Sequence, residues 1–187
     1  MEYLLAVDLE TTGLDPLYNE ITQVGAILLD NQLKELGSFE SLVRPEHIER
    51  GFEGGKDIYK YSHLNVDDLK VAPTTDKVLR ALETFVRSKI GFELNKVLIF
   101  GQNSKFDSAF LESAFKKCGW KYPFDFHIIN LESIYVYHQF MKTGKLPKTV
   151  RLMDICKKAG IKNEQAHSAM ADIRATVDAL KVLCEGK

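Results

Sequence analysis

The chain has 187 residues, of which 27% are charged and 45% are hydrophobic, and its formal net charge is −1. This length suits one domain with a full core, so we expect a single domain over residues 1–187. The nearly neutral charge argues against a protein that coats long duplexes by neutralising phosphates, but it permits an enzyme that grips one or two nucleotides.

Composition also bears on the compartment. No run is long and apolar enough to span a bilayer, and Met1-Glu2-Tyr3 leads into the first predicted strand without a signal-peptide pattern. The three cysteines are far apart and odd in number, which favours a reducing compartment over a disulfide framework or a zinc site. We therefore expect a cytoplasmic protein with no membrane partner.

The first third of the chain predicts an antiparallel meander. An apolar strand covers Tyr3 to Val7, and β-branched and apolar residues predict further strands over 21–30 and 33–43. The turns between these strands are short, which indicates antiparallel pairing. Residues 46–63 are the least patterned stretch and predict a long surface loop.

The remainder predicts helices alternating with strands. Helical spacing and caps predict a short helix over 65–69, and then helices from Thr74 or Thr75 to Gly91, over Phe106 to Gly119, through Met141, over 152–160 and over about 168–185. Strands are predicted at 97–100 and 124–129. The predicted fold class is α/β, with a mixed sheet of three antiparallel N-terminal strands plus parallel strands, flanked by helices.

Two carboxylates close the first strand. Side chains alternate along a strand, so Asp8 and Glu10 point to the same side. Two like charges at the end of a buried strand repel each other and resist desolvation. A divalent cation between them would relieve that repulsion, so the pair predicts half of a metal site.

A second polar group follows the strand at 97–100. Asp107 falls in the first turn of the next helix, where the helix dipole favours an anion, and Asn103 lies in the turn before it. Taken singly, Asp107 is equally typical of an aspartate placed for the dipole alone, and Asn103 of a turn residue or cap.

The third candidate group is His167 and Asp172. Five residues turn a helix by roughly 500°, so the two side chains converge only if His167 lies on the loop before the last helix and Asp172 on the helix itself. A loop histidine beside a metal cluster could act as a general base. A histidine and an aspartate near a helix start are otherwise commonplace.

Together these motifs resemble the DEDDh (DnaQ-like) family of 3′–5′ exonucleases, in the ribonuclease H-like superfamily. The matching motifs are Asp-x-Glu-Thr-Thr-Gly-Leu, Gly-x-Asn-x-x-Phe-Asp and His-x-x-x-x-Asp, which begin at Asp8, Gly101 and His167. They occur in the family's order along nearly the whole chain. The resemblance implies a ribonuclease H-like fold, which agrees with the mixed sheet expected above.

The resemblance also implies a mechanism with two divalent cations. All of the candidate ligands are carboxylates, which favours Mg²⁺ or Mn²⁺ over zinc. By resemblance, Asp8 would bridge the two ions. Glu10 and Asp172 would complete the coordination shell of the first ion, and Asp107 would serve the second ion. His167 would accept a proton from the attacking water. The implied substrate is the 3′ end of single-stranded DNA or RNA, and the product is a nucleoside 5′-monophosphate.

Six residues are expected to contact the terminal nucleotide: Thr11, Thr12, Gly13, Leu14, Asn103 and Phe106. Leu14 resembles the apolar wedge that the family places against the last bases, and Asn103 would contact the sugar or phosphate. For Phe106 a core aromatic beside Phe110 is nearly as good an interpretation.

Three alternatives stay open from the sequence. The chain could be a metal-dependent phosphodiesterase on short oligonucleotides or small nucleotides, which a tight pocket shaped by residues 46–63 would favour. A non-catalytic nucleic-acid-binding module should lack one of the acids or the histidine, and all five are present. A proofreading subunit would need a segment that docks on a polymerase. The sequence shows no pattern typical of such a segment, so a polymerase partner is possible but not indicated.

Overall fold

The computed structural model describes residues 2–162 and 168–185. Within these residues the chain forms one sheet, whose strands are β1 Tyr3–Thr11, β2 Ile21–Asp30, β3 Glu35–Leu42, β4 Val97–Gly101 and β5 Ile128–Asn130. Their order across the sheet is β3-β2-β1-β4-β5. The pairs β3–β2 and β2–β1 are antiparallel, whereas β1–β4 and β4–β5 are parallel. The predicted mixed sheet is therefore confirmed.

The described residues also contain helices on both faces of the sheet. In chain order these α-helices are α1 Ile58–Tyr61, α2 Val66–Val71, α3 Thr75–Ile90, α4 Ser104–Lys117, α5 Leu131–Thr143, α6 Leu152–Ala159 and α7 Ala169–Cys184. Short 3₁₀ helices cover Ile48–Gly55 and Leu94–Lys96. In the part of the chain that the structure describes, no helix has the length and apolar character that crossing a membrane requires.

Two hydrophobic cores sandwich the sheet. The first lies under α3 and α4 and includes Leu5, Val7 and Leu9 of β1. The second lies under α5, α6 and α7 and includes Ala6 of β1 and Phe100 of β4. Successive strand side chains thus enter opposite cores, as the strand period requires. Burial of both faces explains the continuous apolar run of β4, every residue of which is buried.

The predicted long surface loop over 46–63 contains short helical elements that the sequence did not indicate. This stretch contains the 3₁₀ helix Ile48–Gly55 and then α1, a single turn whose N-cap Asp57 accepts a hydrogen bond from the Lys60 amide at 3.1 Å. Elements this short carry too few residues to show a helical period, so pattern alone did not reveal them.

The last strand is also shorter than predicted. The sequence predicts a strand over 124–129, whereas β5 begins only at Ile128. The residues before it are aromatic because they pack as side chains around Phe115, with ring centroids of Tyr122 and Phe124 at 5.8 and 6.4 Å. An apolar run of this kind looks like a strand in sequence. That residues 1–187 form a single domain, and that the chain is cytoplasmic, stay predictions.

Candidate active site

The first element of the site is the overhanging end of β1. Pairing with β4 ends at Ala6 opposite Phe100, while β1 continues beside β2 as far as Thr11. Asp8 and Glu10 therefore lie beyond the end of β4. Both share the strand phase of Ala6, which faces the second core, so their side chains point to the face of the sheet that α7 covers.

The second element is the turn from β4 into α4. Asn103 has the left-handed backbone conformation (φ 56°) that asparagine tolerates better than most residues. Ser104 then fixes the helix start against the end of β5: its amide donates to Asn130 Oδ1 at 2.6 Å and its hydroxyl to the Ile129 carbonyl at 2.6 Å. The exposed Asn103 side chain makes no capping hydrogen bond to α4, so it is available to a ligand.

Asp107 joins these two elements. Its side chain is buried, and its Oδ1 accepts a hydrogen bond from the Leu9 amide at 2.9 Å. Leu9 lies between Asp8 and Glu10 in the chain, so this bond holds the first turn of α4 against the segment of β1 that carries the other two acids. Burial raises the pKa of Asp107 to about 7, although the hydrogen bonds that its carboxylate accepts from backbone amides lower this pKa.

The third element is the start of α7, which carries Asp172. Here α7 packs directly on β2: a Cβ atom at Gly25 would lie 2.6 Å from the Ala169 carbonyl carbon. Gly25 is the β2 partner of Asp8, so this close approach brings the first turn of α7 to the level of the acids on β1. Gln23 adds a second link, because its Oε1 accepts from the Ala169 amide at 3.3 Å.

The electrostatics show that these acids form one group. Burial, followed by repulsion from Asp107, Asp172 and Glu10, raises the pKa of Asp8 well above its usual range. Burial and the charge of Asp172 raise the pKa of Glu10 to about 7. We call Asp8, Glu10, Asp107 and Asp172 the acidic cluster. The structure thus brings together all four carboxylates that the sequence predicts, whereas His167 lies outside the described residues.

The donor set of the acidic cluster fits divalent cations that prefer oxygen. Each member offers carboxylate oxygens, the ligands that Mg²⁺ and Mn²⁺ take in proteins. Mutual repulsion and burial both disfavour the charged form of these acids, and a bound cation would relieve the repulsion.

A separate acidic group lies elsewhere. Among the described residues, ligand atoms of Glu20, Glu46 and His47 approach within 4.8 Å of one another. Glu20 is already engaged, however, because it accepts from the His47 amide at 2.8 Å and faces Arg50 at 3.9 Å. We therefore do not include this group in the candidate site.

The turn after β1 is held by its own side chains. The Thr11 hydroxyl donates to the Gly13 carbonyl at 2.6 Å, and the Thr12 hydroxyl accepts from the Glu20 amide at 3.0 Å. Thr12 is 1% exposed, whereas Leu14 is 79% exposed. Of these predicted substrate contacts, Leu14 is thus presented to solvent, while the two threonine hydroxyls are engaged within the turn.

A cavity of about 250 Å³ adjoins the acidic cluster at Glu10. Its walls bring together five residues of the predicted site: Glu10, Thr11, Gly13, Leu14 and Phe106. Phe106 also packs against the first core and meets the Phe110 ring at a centroid distance of 4.8 Å. Phe106 is therefore a core aromatic that also lines the cavity, and its contact with a substrate stays a prediction.

Sequence reasoning missed the far wall of this cavity, which Ile58, Tyr61 and Ser62 provide at the end of α1. The only local signal was Asp57 as an N-cap, and nothing in the sequence linked that turn to β1. The 3₁₀ helix before α1 also braces the β1–β2 turn, because the Tyr18 hydroxyl donates to Glu53 at 2.7 Å.

The chain is similar in sequence to known exonuclease and polymerase proteins. The exonuclease family model RNase_T matches residues 5–180. A PolC-type DNA polymerase III of Caldanaerobacter subterraneus is 26% identical over 171 residues, which cover 91% of this chain and 11% of the polymerase.

Two solved structures show the same fold. Exonuclease I of E. coli in complex with a dT13 oligonucleotide has a TM-score of 0.78 at 19% identity, covering 99% of this chain and 41% of that chain. A 3′-exonuclease that recognises the 3′ end of the histone mRNA stem-loop has a TM-score of 0.77 at 23% identity, with 98% and 64% covered. The predicted ribonuclease H-like class agrees with these neighbours. The chain spans about a quarter or less of the length of the curated relatives it matches first.

Proposed function

Because the chain belongs to the exonuclease family that the RNase_T model describes, we propose that it is a metal-dependent 3′–5′ exonuclease. Its substrate would be the 3′ end of single-stranded DNA or RNA, and its product a nucleoside 5′-monophosphate. The observation that carries this proposal is the acidic cluster, in which four carboxylates from β1, α4 and α7 meet at the C-terminal end of β1. Their placement beside an open cavity leaves room for a chain end at the same point.

The acidic cluster would hold two divalent cations, Mg²⁺ or Mn²⁺. Asp8 would be a ligand in this site, since it is buried near the other three acids, whose charges all raise its pKa. Glu10 and Asp172 would hold one ion, since the charge of Asp172 contributes to the raised pKa of Glu10. Asp107 would serve the second ion. When bound, such a pair supplies Lewis-acid stabilisation of the attacking and leaving oxygens of a phosphodiester.

The remaining roles belong to side chains around the cluster. His167 immediately precedes Ser168, the N-cap of α7, and we assign it as the general base that accepts a proton from the attacking water. Asp107 also positions β1 through its bond with the Leu9 amide, so the acids on the strand and on α4 keep a fixed relation. This preorganisation lowers the cost of binding the reacting phosphate.

The cavity beside Glu10 would select a chain end. Leu14 and Phe106, which both line the cavity, offer apolar surfaces for the terminal base, and Gly13 lines the same cavity. The exposed Asn103 side chain would donate to the terminal sugar or phosphate. Tyr61, which is 71% exposed and lies on the opposite wall, is a further surface on which a base could stack.

A second candidate function is a phosphodiesterase restricted to short oligonucleotides. The observation in its favour is that α1 narrows the cavity from the side of Tyr61 and Ser62. The two activities differ in their products, since an exonuclease shortens a long strand stepwise while a restricted enzyme leaves it intact. The PolC-type relatives are polymerases that contain a matching segment, so we keep a polymerase as a further partner class.

The test is a cleavage assay with three 5′-labelled substrates: a single strand of DNA of about 20 nucleotides, a single strand of RNA of the same length, and a dinucleotide. With Mg²⁺ or Mn²⁺ we expect a ladder of 5′-labelled products that shorten one nucleotide at a time from the 3′ end, and with chelator no cleavage. The Asp172→Asn variant should lose at least about 100-fold in rate. Full metal-dependent activity of this variant would overturn the site assignment, and cleavage of the dinucleotide alone would favour the second function.

A further inference from the structure

A large open groove lies along α5, away from the acidic cluster. Its cavity volume is about 640 Å³, and its walls are mostly apolar. We define the α5 groove by the five apolar residues that line it: Val136, Tyr137, Phe140, Leu146 and Val150. None of these residues belongs to the site described above.

The groove presents aromatic side chains to solvent. Tyr137 is 66% exposed, Phe140 is 50% exposed, and Leu146 opposite them is 70% exposed. Single exposed apolar residues are ordinary, but several that share one groove indicate a binding surface. Tyrosine and phenylalanine are the side chains on which unpaired bases stack, whatever the base.

The groove is rimmed by positive charge. Residues 142–158 contain six basic side chains and one acidic one, in a chain whose net charge is −1. Four of the basic residues are chain neighbours of the groove residues Phe140, Leu146 and Val150, and all four are exposed: Lys142, Lys145, Lys148 and Arg151. Within the described residues none of these four forms an ion pair, whereas Lys158 donates to the Tyr135 hydroxyl at 2.7 Å. A polyanion would therefore meet unpaired cations here.

Hydrogen bonds connect the groove to the candidate active site. The Gln102 side-chain amide donates to Glu132 Oε1 at 2.8 Å and to the Val150 carbonyl at 2.8 Å. Glu132 and Val150 both line the groove, while Gln102 immediately precedes Asn103 in the turn before α4. The inner end of the groove is thus tied to the turn that carries one of the proposed substrate contacts.

We propose that the α5 groove binds the single-stranded part of the substrate upstream of the cleaved end. Bases stack on Tyr137 and Phe140, and the phosphates between them meet Lys142, Lys145 and Lys148. This inference rests on the proposed exonuclease function and gives it a substrate class, since only strands long enough to reach from the acidic cluster to α5 gain the extra contacts. The charge of the rim favours a polyanion over a second copy of this weakly acidic chain.

The test measures binding apart from cleavage. Fluorescence anisotropy with labelled dT20 and rU20 in chelator, where no hydrolysis is expected, reports the affinity of the full chain for a single strand. The paired variant Tyr137→Ala, Phe140→Ala should weaken binding by about tenfold. The triple variant Lys142→Gln, Lys145→Gln, Lys148→Gln should weaken binding and lower the slope of log affinity against log salt by about two.

The matched control removes three exposed lysines from α3 and α4, on the other face of the sheet: Lys77→Gln, Lys89→Gln and Lys116→Gln. This control changes the net charge by the same amount as the triple lysine variant of the groove. We expect its affinity to stay within about twofold of the wild-type value, and its salt slope to stay within about 0.5 of the wild-type slope. Melting temperatures of all variants check that they fold, which is expected because every substituted side chain is exposed.

The two proposals fail in different ways. Loss of affinity in the control equal to that in the groove variants, or unchanged affinity in the groove variants, would overturn the groove assignment. Cleavage of a dinucleotide by the wild-type protein is measured separately, so absence of that cleavage together with absence of the ladder would count against the exonuclease function. If the groove variants bind dT20 more weakly but the wild-type protein cleaves no substrate, the α5 groove would remain a nucleic-acid-binding site without the exonuclease function.

Discussion

At the scale of single residues, Asp107 has two separable roles. Its oxygen accepts a hydrogen bond from the Leu9 amide, and its charge belongs to the acidic cluster. Asp107→Asn keeps an oxygen acceptor and removes the charge, so we expect at least about 100-fold less cleavage with a metal-free stability equal to or above that of the wild type. Chemical denaturation in chelator at pH 8, together with the cleavage assay, measures both quantities.

The matched variant Asp107→Leu removes the charge and the acceptor. It leaves the buried Leu9 amide without a partner, which costs about 1–3 kcal/mol. We therefore expect Asp107→Leu to unfold at lower denaturant than Asp107→Asn while both lack activity. Equal stability of the two variants would contradict the structural role of the bond, and wild-type activity in either would contradict the metal-ligand role.

Glu10 predicts how the metal-free stability depends on pH. Its pKa is about 7 in the folded chain, against an ordinary value of 4.5, because of burial and Asp172. Between these two values the folded state binds more protons than the unfolded state, so the free energy of unfolding falls as pH rises from about 4.5 to about 7 and then levels off. The loss is on the order of 3 kcal/mol for this group.

Urea unfolding in chelator at several pH values measures this fall, and Glu10→Gln is the control because it cannot titrate. We expect the variant to lose less stability than the wild type over that range. The same slope in both proteins would show that Glu10 is not the cause. Asp107, with its pKa also about 7, adds to the fall in the same direction.

At the scale of elements, Gly25 determines how closely α7 approaches β2. Gly25→Ala would place a Cβ atom 2.6 Å from the backbone of Ala169 and 2.7 Å from that of Met170. Because backbone cannot rotate away as a side chain can, α7 must shift and carry Asp172 with it. We expect a destabilisation of about 1–3 kcal/mol and a loss of cleavage larger than the loss of folded protein explains.

The control for this variant is Ala175→Ser, a similarly small change at a buried position later in α7. The rate of cleavage per folded molecule, with the folded fraction taken from circular dichroism, separates the two effects. If Gly25→Ala lowers activity only in proportion to the folded fraction, the approach of α7 does not position Asp172.

Elements also show what the sequence could predict. Long segments with a clear period, such as α3, α4 and α7, were predicted to within a few residues, and the fully buried β4 was recognised from its unbroken apolar run. Helix α1, with four residues, has no measurable period, and the aromatic approach to β5 imitates a strand because its side chains fill the core. The carboxylates were predictable because their types and order carry the chemistry, whereas the cavity wall at Tyr61 depends on a tertiary contact.

At the scale of the whole molecule, a net charge of −1 conceals two opposite fields. Negative charge gathers at the acidic cluster, while the exposed Lys142, Lys145, Lys148 and Arg151 add positive charge to the segment that contributes Leu146 and Val150 to the α5 groove. The nearly neutral total charge does not reveal a basic segment, because a sum cannot show where charges lie after folding. A nucleic acid attracted by the basic segment would then meet the acidic cluster, which repels its phosphates until bound cations neutralise the carboxylates.

This arrangement predicts that divalent cations stabilise the fold as they bind. A ligand at 100 times its dissociation constant contributes about 2.7 kcal/mol if it binds only the folded state. For a chain of this length that corresponds to a rise in melting temperature of about 5–10 °C. The rise should be larger at pH 8 than at pH 5.5, because Glu10 and Asp107, with pKa values of about 7, hold protons at the lower pH.

Differential scanning fluorimetry with Mg²⁺, Mn²⁺ or Na⁺ at matched ionic strength measures this effect. The variant Asp8→Asn should show a smaller rise, because Asp8 is the acid whose pKa responds to all of the others. The Glu46→Gln variant is the control for the separate group of Glu20, Glu46 and His47, and it should respond as the wild type does. A rise that Glu46→Gln abolishes and Asp8→Asn retains would place the stabilising cation outside the acidic cluster, and no rise at all in the wild type would contradict a metal site formed by the folded chain.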